Sequence, residues 1–320
     1  MIVLSRADVE ELLDLDELLD ALARAHAELS AGAVSLPPRI AAFAGDAGLL
    51  GAMPAYLPSA GPSGVLGCKL VTLFPGNTDR PTHQAAIMLF DEQNGSPVAL
   101  LDGTYVTQLR TAAGAALAAR LLARDDARVL AVLGTGVQAR THLRAFAGIR
   151  DWDEVRVAGR DPEKARALAA ETGATAASSF EEAVRGADVV AATTHADAPV
   201  VYRDWLAPGA HVSSVGYNQA GSELDPAIVA EATVVVETRA VLAPPPAGAL
   251  ELAGLDESAI HGELGELVAG TRPGRTAPEE ITLYKSVGVA VQDLAAAALV
   301  LAAARERGVG IEIELEEIHV

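Results

Sequence analysis

Lysine is rare in this chain, and one lysine lies where it could do chemistry. Among the 24 basic residues only Lys69, Lys164 and Lys285 are lysines, so arginine supplies most of the cations. Lys69 lies inside an apolar run, GCKLVTLF, which predicts a strand. If its ammonium faces the core, burial lowers its pKa and lets it exchange a proton, which arginine cannot do. On the other face of the strand it would be an ordinary solvated cation.

Two arginines could also bind an anion. Arg39 follows two prolines, and Arg110 precedes Thr111 in a long segment rich in alanine and leucine. The planar guanidinium group can form paired hydrogen bonds with a carboxylate. For Arg110 the sequence leaves both a carboxylate and a phosphate open as ligands, and either arginine alone would be ordinary.

A second candidate site is a glycine turn between a strand pattern and a helix pattern. Residues 130–133 predict a buried strand, and the sequence Gly134-Thr135-Gly136-Val137-Gln138-Ala139 follows at once. It matches G-x-G-x-x-A, in which the glycines allow a tight turn and the small third residue lets the helix pack on the strand. The helix N-terminus then points its amides at a pyrophosphate. This strand–turn–helix setting predicts a dinucleotide site.

The end of the next strand indicates which nicotinamide cofactor binds. A carboxylate there hydrogen-bonds a free ribose 2′-hydroxyl, whereas an arginine pairs with a 2′-phosphate. The chain reads Ala158-Gly159-Arg160-Asp161, and Asp161 precedes a proline and could simply cap the next helix. The sequence therefore favours NADP(H) bound by Arg160, with NAD(H) also possible.

The elements that must position these residues change in character along the chain. Residues 65–73 and 85–90 predict strands of an antiparallel or mixed sheet, and a long helix is predicted from near Thr107. From Arg128 onward short apolar runs alternate with helical ones, which is typical of βαβ units and a parallel sheet. The run ITLYKSVGVAVQDLAAAALVLAAARERG predicts a helix, and IEIELEEIHV a terminal strand.

Composition and charge exclude several classes of partner. Half of the 320 residues are hydrophobic and the net charge is -19, so a polyanion would be repelled and no nucleic acid is expected. The longest late apolar stretch covers only 294–304, too short for a bilayer, and no signal peptide pattern opens the chain. We expect a cytoplasmic protein without membrane contact. One cysteine, and histidines without zinc spacing, predict no disulfide and no metal site.

Several short motifs occur in a fixed order over nearly the whole chain. They are Pro38-Arg39, Met53-Pro54, Gly67-Cys68-Lys69, Pro81-Thr82-His83, Leu101-Asp102-Gly103, Arg110-Thr111-Ala112-Ala113, the turn at Gly134, and Lys285-Ser286-Val287-Gly288. In this succession the chain resembles the ornithine cyclodeaminase/mu-crystallin family. The most specific elements are the Arg-Thr-Ala-Ala helix start followed by the glycine turn, and the late Lys-Ser-Val-Gly.

The resemblance implies an α/β fold with two domains and a homodimer. A central Rossmann-type doubly wound parallel sheet, residues 121–293, would bind the nicotinamide cofactor. An α+β domain formed by both chain ends, residues 1–120 and 294–320, would bind the substrate and dimerise. Family members act on α-amino or α-imino acids, so a small imino or amino acid is the implied substrate.

The resemblance also implies roles for individual residues. Arg39, Lys69 and Arg110 would hold the substrate carboxylate, and Lys69 and Asn218 would take part in catalysis. The substrate-binding residues would be Arg39, Met53, Lys69, His83, Arg110 and Val287. The cofactor-binding residues would be Thr82, Arg110, Thr111, Gly134, Thr135, Gly136, Val137, Gln138, Arg160, Thr193, Thr194, Val215, Gly216 and Ser286. For His83, Thr193 and Thr194 a purely structural role is an open alternative.

Departures from the family pattern separate its branches. Cyclodeaminases carry an aspartate where this chain has Asn218, and a glutamate where it has Gly51. Asparagine can hydrogen-bond an imine but cannot accept a proton, so the base for deamination is missing there. The chain is more similar to the 1-pyrroline-2-carboxylate (ketimine) reductases. Alternatives are a cyclodeaminase or amino acid dehydrogenase with Asp225 as a displaced base, and a mu-crystallin-like NADP(H)-binding protein.

Overall fold

The structure is a computed structural model that describes residues 1–60, 64–218 and 220–315. The first part of the chain contains, in order, β1 (Ile2–Leu4), α1 (Arg6–Leu12), α2 (Leu15–Ser30), β2 (Ile40–Phe43), β3 (Leu49–Leu57), β4 (Val65–Leu73), β5 (His83–Phe90), β6 (Pro97–Asp102) and α3 (Gly103–Leu122). The middle contains β7 (Val129–Leu133), α4 (Val137–Ala147), β8 (Glu154–Ala158), α5 (Pro162–Thr172), β9 (Thr175–Ala176), α6 (Phe180–Val184), β10 (Val189–Ala192), β11 (His211–Ser214), α7 (Pro226–Glu231), β12 (Thr233–Val236), β13 (Gly262–Glu263), α8 (Leu264–Val268) and β14 (Thr282–Lys285). Short 3₁₀ turns lie at Arg203–Trp205, Arg239–Leu242, Leu250–Leu252 and Glu257–Ala259. The last two elements are α9 (Ala290–Arg307) and β15 (Ile311–Glu312).

The chain divides into two units, each with its own sheet. Unit 1 comprises residues 1–110 and 289–320, and unit 2 comprises residues 111–288. The borders in the structure lie at 110/111 and 288/289, whereas the sequence places them at 120/121 and 293/294. The difference arises because sequence patterns mark where an element ends, while a border defined by packing can fall inside a helix such as α3.

Unit 1 is built on a mixed seven-stranded sheet in the order β15-β1-β6-β5-β4-β3-β2. Only β1 and β6 pair in parallel within this sheet, and the other neighbours are antiparallel. One face carries the buried row Met53, Lys69, Ile87 and Leu101, which are cross-strand partners. Helix α9 packs on β3, β4 and β5 and contacts α1 and α2, so this face is the core of unit 1.

Unit 2 is built on an eight-stranded parallel sheet in the order β13-β12-β14-β11-β10-β7-β8-β9. Its inner strands are almost wholly buried because helices cover both faces of a parallel sheet. Short apolar runs joined by helices thus produce the Rossmann-type α/β sheet that the sequence predicts.

Two helix predictions need correction. Residues 282–285 do not belong to a late helix: they form β14, a four-residue buried strand between β11 and β12, and α9 begins only at Ala290. Periodicity cannot distinguish a short buried strand from a buried helical turn. The helix predicted from near Thr107 begins earlier, at Gly103, because the Asp102 carboxylate accepts a hydrogen bond from the Tyr105 amide at 2.7 Å.

The carboxyl end forms less strand than the sequence predicts. Only Ile311–Glu312 pairs, antiparallel to β1, and residues 316–320 of the predicted strand lie outside the described residues. Among the described helices, none combines the length and apolar character that crossing a bilayer requires.

Candidate active site

Lys69 lies on the core face of β4 and is 2% exposed. Its Nζ donates to Asp293 Oδ1 at 3.0 Å. Burial lowers the pKa of Lys69 to about 8, while the charge of Asp293 opposes the shift and those of Arg110 and Arg39 add to it. The ammonium is therefore poised to exchange a proton near neutral pH, as a general acid must.

Arg110 binds the same carboxylate from α3. Its Nε donates to Asp293 Oδ1 at 3.1 Å, and its Nη1 donates to Gln292 Oε1 at 3.0 Å. The Gln292 amide also meets His26 at 2.9 Å between the two Nε2 atoms. Lys69 of β4, Arg110 of α3 and Asp293 of α9 thus meet at one buried point. Helix α2 adds His26 beside Gln292.

The other predicted substrate residues of unit 1 lie at different distances from this point. Met53 is buried on β3 directly opposite Lys69 in the sheet register. Arg39 is half-buried before β2, close enough for its charge to lower the pKa of Lys69. Thr82 and His83 are exposed at the start of β5, where His83 pairs with Leu73.

The glycine turn of unit 2 is shaped for close approach. Gly134 has φ +123°, and a Cβ there would lie 2.6 Å from Thr193 Oγ1. A Cβ on Gly159 would lie 2.5 Å from Thr135 Cγ2, so the turn packs tightly against the end of β8 as well. At Gly136, by contrast, no atom of the described residues lies within 4 Å of such a Cβ. Only glycine fits the first position, and the second position faces open space.

The N-terminus of α4 fits an anionic group. Gly136 is its N-cap, no side chain caps it, and no acidic residue lies in its first turn. Val137 is 49% exposed, Gln138 is partly buried and Ala139 is fully buried against the strand. The amides of the first turn can therefore donate hydrogen bonds to a pyrophosphate, and the helix dipole favours its negative charge.

Arg160 and Asp161, which follow β8, have different surroundings. The Asp161 carboxylate caps α5 by accepting from the amides of Glu163 and Lys164 at 3.0 and 3.4 Å. Arg160 precedes it and is exposed. The carboxylate at this strand end thus serves the helix, and the guanidinium is accessible to a ligand.

Glu223 joins the loops that follow β10 and β11 and is 2% exposed. Its Oε1 accepts from the amide and hydroxyl of Thr194 at 2.5 and 2.7 Å. Its Oε2 accepts from Ser214 Oγ at 2.9 Å and from the Gly216 amide at 2.7 Å. Four hydrogen bonds satisfy this buried carboxylate and hold two of the predicted cofactor residues in place.

Lys285 ends β14 as a fully buried cation. Its Nζ donates to the Gly216 carbonyl at 2.7 Å and to Ser214 Oγ at 3.1 Å, and it pairs with Glu251 Oε1 at 3.1 Å. After it, Ser286 Oγ and the Val287 amide donate to the buried carboxylate of Glu237 at 2.7 and 3.0 Å. The Lys-Ser-Val segment is thus held by two carboxylates.

Comparison with known proteins identifies the family of the chain. A sequence model of the ornithine cyclodeaminase/mu-crystallin family matches residues 1–308. The chain belongs to this family. The ketimine reductase mu-crystallin of Mus musculus is 40% identical over 275 residues, which cover 84% of this chain and 85% of that protein.

Two solved structures share the fold over almost the entire chain. The Δ1-pyrroline-2-carboxylate reductase of Thermococcus litoralis, solved with NADH and L-proline, has a TM-score of 0.91 and 34% identity, covering 98% of this chain and 100% of that one. An archaeal alanine dehydrogenase dimer with bound NAD has a TM-score of 0.89 and 31% identity, with 99% of each chain covered.

Asn218 and the displaced-base candidate Asp225 both form local hydrogen bonds. The Asn218 amide nitrogen donates to the Ala196 carbonyl at 3.1 Å and to Asp197 Oδ1 at 2.9 Å, which braces its own loop. Asp225 caps α7, accepting from the amides of Ala227 and Arg203, each at 3.1 Å. Both carboxylate oxygens of the displaced-base candidate are thus engaged with backbone.

Three further predicted positions belong to unit 2. Thr111 is partly buried within α3, and the Val215 amide donates to the Ala192 carbonyl at 3.1 Å. The Thr193 hydroxyl donates to the Leu133 carbonyl at 2.8 Å, the structural role that the sequence left open. Within the described ranges, no three His, Cys, Asp or Glu side chains are grouped so as to hold a metal ion.

The sequence analysis does not identify four residues that bind the predicted site residues: the buried Asp293, Gln292 and Glu223, and the partly buried Glu251. A signal existed for the first two, because a Gln-Asp pair interrupts the apolar helix sequence AVQDLAAAAL. A charged residue on the apolar face of a helix requires a partner. No local pattern identifies Glu223 or Glu251, whose partners lie 7 to 34 residues away in other strands and loops.

Proposed function

We propose that this chain is an NAD(P)H-dependent reductase of a cyclic or small α-imino acid of the 1-pyrroline-2-carboxylate type, and that it produces the L-amino acid. The observation that carries the proposal is the buried Lys69 ammonium, whose pKa is lowered to about 8, held beside Arg110 by Asp293. The names of the mouse and Thermococcus relatives support the same reaction class.

In this reaction the residues of unit 1 bind the substrate and supply the proton. Arg39, Lys69 and Arg110 hold the substrate carboxylate, which fixes the imine carbon in one orientation. Lys69, or a water bound to it, keeps the imine nitrogen protonated, so that its carbon is electrophilic. The bound nicotinamide cofactor supplies the hydride that reduces this carbon. The open amides of α4 and the residues braced by Glu223 would hold the cofactor.

The activity itself is the first test. Purified protein given 1-pyrroline-2-carboxylate should oxidise NADPH or NADH, followed by absorbance, and form proline. Release of ammonia and proline from ornithine without net cofactor consumption would show a cyclodeaminase instead. Tight cofactor binding without turnover across a panel of imino and amino acids would indicate the mu-crystallin-like binding protein. The displaced-base alternative is not favoured, because Asp225 serves as a helix cap.

The cofactor preference follows from the end of β8. Arg160 is exposed and Asp161 is engaged in capping α5, so the strand end offers a cation and not a free carboxylate. A guanidinium pairs with a ribose 2′-phosphate. We therefore infer that this protein uses NADP(H) in preference to NAD(H), although the two solved relatives were crystallised with NADH and NAD.

Arg160→Ala should raise the Michaelis constant for NADPH about ten- to a hundredfold and leave that for NADH nearly unchanged. The reason is the loss of one charge-assisted hydrogen bond, about 1.5 to 3 kcal/mol. Steady-state kinetics with both cofactors measures the effect. Arg166→Ala is a matched control, because Arg166 is an exposed arginine on α5 paired with Glu163. Equal losses with both cofactors would mean that Arg160 only stacks on adenine.

A homodimer is proposed from the outer face of the unit 1 sheet. On the face opposite Lys69, the register aligns Ile40, Ala52, Leu70 and Ala86 across four strands. Ile40 is 68% exposed, Leu50 44% and Leu70 42%, so this surface is apolar and uncovered. Contiguous apolar surfaces of this kind mark protein interfaces. A second copy of the chain is the occupant we infer, since the archaeal relative was solved as a dimer.

Leu70→Asp should convert the dimer into a monomer. A carboxylate cannot be buried without a partner at the centre of an apolar interface. Light scattering after gel filtration should give twice the 32.9 kDa chain mass for the wild type and the single chain mass for the variant. Leu255→Asp is the control, because Leu255 is a similarly exposed leucine, 38%, outside this sheet. A variant that remains dimeric would place the interface elsewhere.

A further inference from the structure

Asp293 is a fully buried carboxylate in the first turn of α9. Its Oδ1 alone accepts from both Lys69 Nζ, at 3.0 Å, and Arg110 Nε, at 3.1 Å. Its Oδ2 is buried and accepts no hydrogen bond from a described residue. Two cations that are distant in the chain are therefore held at a single oxygen atom.

Helix α9 stabilises the Asp293 carboxylate in addition to the hydrogen bonds from Lys69 and Arg110. The N-terminus of a helix favours a negative charge, and no side chain caps α9. Because Asp293 lies in the first turn, its carboxylate is close to the positive end of the helix dipole. The anchor for Lys69 and Arg110 thus belongs to a rigid element.

The neighbouring residue restricts Arg110 further. Gln292 Oε1 accepts from Arg110 Nη1 at 3.0 Å, while its amide nitrogen lies 2.9 Å from His26 Nε2. The contact with His26 orients the amide so that its oxygen faces Arg110. Two successive residues of α9 therefore bind two different nitrogens of one guanidinium, which fixes its plane.

We propose that Asp293 is a positioning residue of the substrate site, which aims Lys69 and Arg110 at a common ligand and provides the counter-charge for the buried Lys69 ammonium. The inference rests on the proposed function, since it assumes that both cations bind the substrate carboxylate. Asp293 takes one of the three hydrogens of the ammonium, so the pairing itself leaves donor capacity for a ligand.

The charged groups around Lys69 determine the direction in which its pKa shifts. Asp293 faces it from α9, Arg110 from α3 and Arg39 from the segment before β2. Burial and both arginines lower the pKa of Lys69, and Asp293 is the carboxylate that raises it. Without Asp293 the Lys69 ammonium would lose its proton at a lower pH. Lys69 could then no longer keep the imine nitrogen protonated.

The three lysines of the chain make this measurable without turnover. With ¹³Cε-labelled lysine, NMR titration of the protein should show three resonances, and the one absent from Lys69→Met identifies Lys69. It should titrate at about pH 8 in the wild type. In Asp293→Asn its midpoint should fall by at least about one pH unit, since one neighbouring opposite charge shifts a pKa by about 1 to 3 units. An unchanged midpoint would overturn the proposal.

A matched control and a kinetic readout accompany the titration. Glu306→Gln makes the same chemical change on an exposed residue of α9 and should leave the Lys69 midpoint unchanged. If the imine reductase activity is present, the alkaline limb of kcat/KM should move down with the midpoint in Asp293→Asn. An absent activity would contradict the proposed function alone, because the NMR titration needs no substrate.

Stability provides the test if Asp293→Asn folds poorly. Removing Asp293 should lower the melting temperature more in the wild type than in a Lys69→Met background, where no ammonium is left unpaired. Equal losses in the two backgrounds would mean that Asp293 and Lys69 are not coupled and would overturn the proposal.

Discussion

Lys69→Arg should lower the turnover number by about 10² or more, while cofactor affinity barely changes. Arginine keeps the charge but does not titrate near neutral pH, and its larger head group must fit where the Lys69 side chain is 2% exposed. The expected loss is in the range found when a positioned proton donor is removed. Steady-state kinetics with the imine, together with a cofactor binding titration, measures both quantities.

The control and the pH profile make this prediction specific. Lys164→Arg changes an exposed lysine, whose Nζ lies 4.0 Å from Asp161, and should leave turnover unaltered. In the wild type, activity should fall as the pH rises above about 8, because Lys69 then loses the proton that the imine needs. In Lys69→Arg this alkaline loss should disappear. A variant that changed only the Michaelis constant for the imine would make Lys69 a carboxylate ligand alone.

Lys285→Met should destabilise the protein by about 3 to 5 kcal/mol, which corresponds to a fall in melting temperature of roughly 6 to 20 °C. Lys285 is fully buried, and its partner Glu251 has a side chain that is only 7% exposed. Removing the ammonium leaves that carboxylate in the interior without its counter-charge and deprives the Gly216 carbonyl of a donor. Calorimetry measures the melting temperature.

A second variant identifies the cause of this loss. Adding Glu251→Gln to Lys285→Met should recover part of the melting temperature, because a neutral amide is less costly to bury than an unpaired carboxylate. Lys164→Met, at an exposed lysine, is the matched control and should have little effect. A Lys285→Met protein that melts within about one degree of the wild type would show that the Lys285–Glu251 pair contributes nothing to stability.

Local patterns were sufficient for the Rossmann-type sheet and its turn. Short apolar runs form strands that are buried on both faces, and the run before Gly134 ends at a glycine, the residue type that adopts the positive φ of this turn. The same local chemistry places Asp161 at a helix start. Strand β14 was mistaken for helix because four buried residues carry no period that separates the two structures.

The sequence places Lys69 in a strand, but the packing of distant elements is what buries it beside Asp293. Alternation along β4 assigns Lys69 to one of two faces, and the packing of α9 on one of them makes that face the core. Its partner Asp293 is 224 residues away in the chain, and the partner of Arg110 is 183 residues away. Secondary-structure patterns depend on neighbours within a few residues, whereas a buried ion pair depends on which distant elements meet, so the former could be predicted and the latter could not.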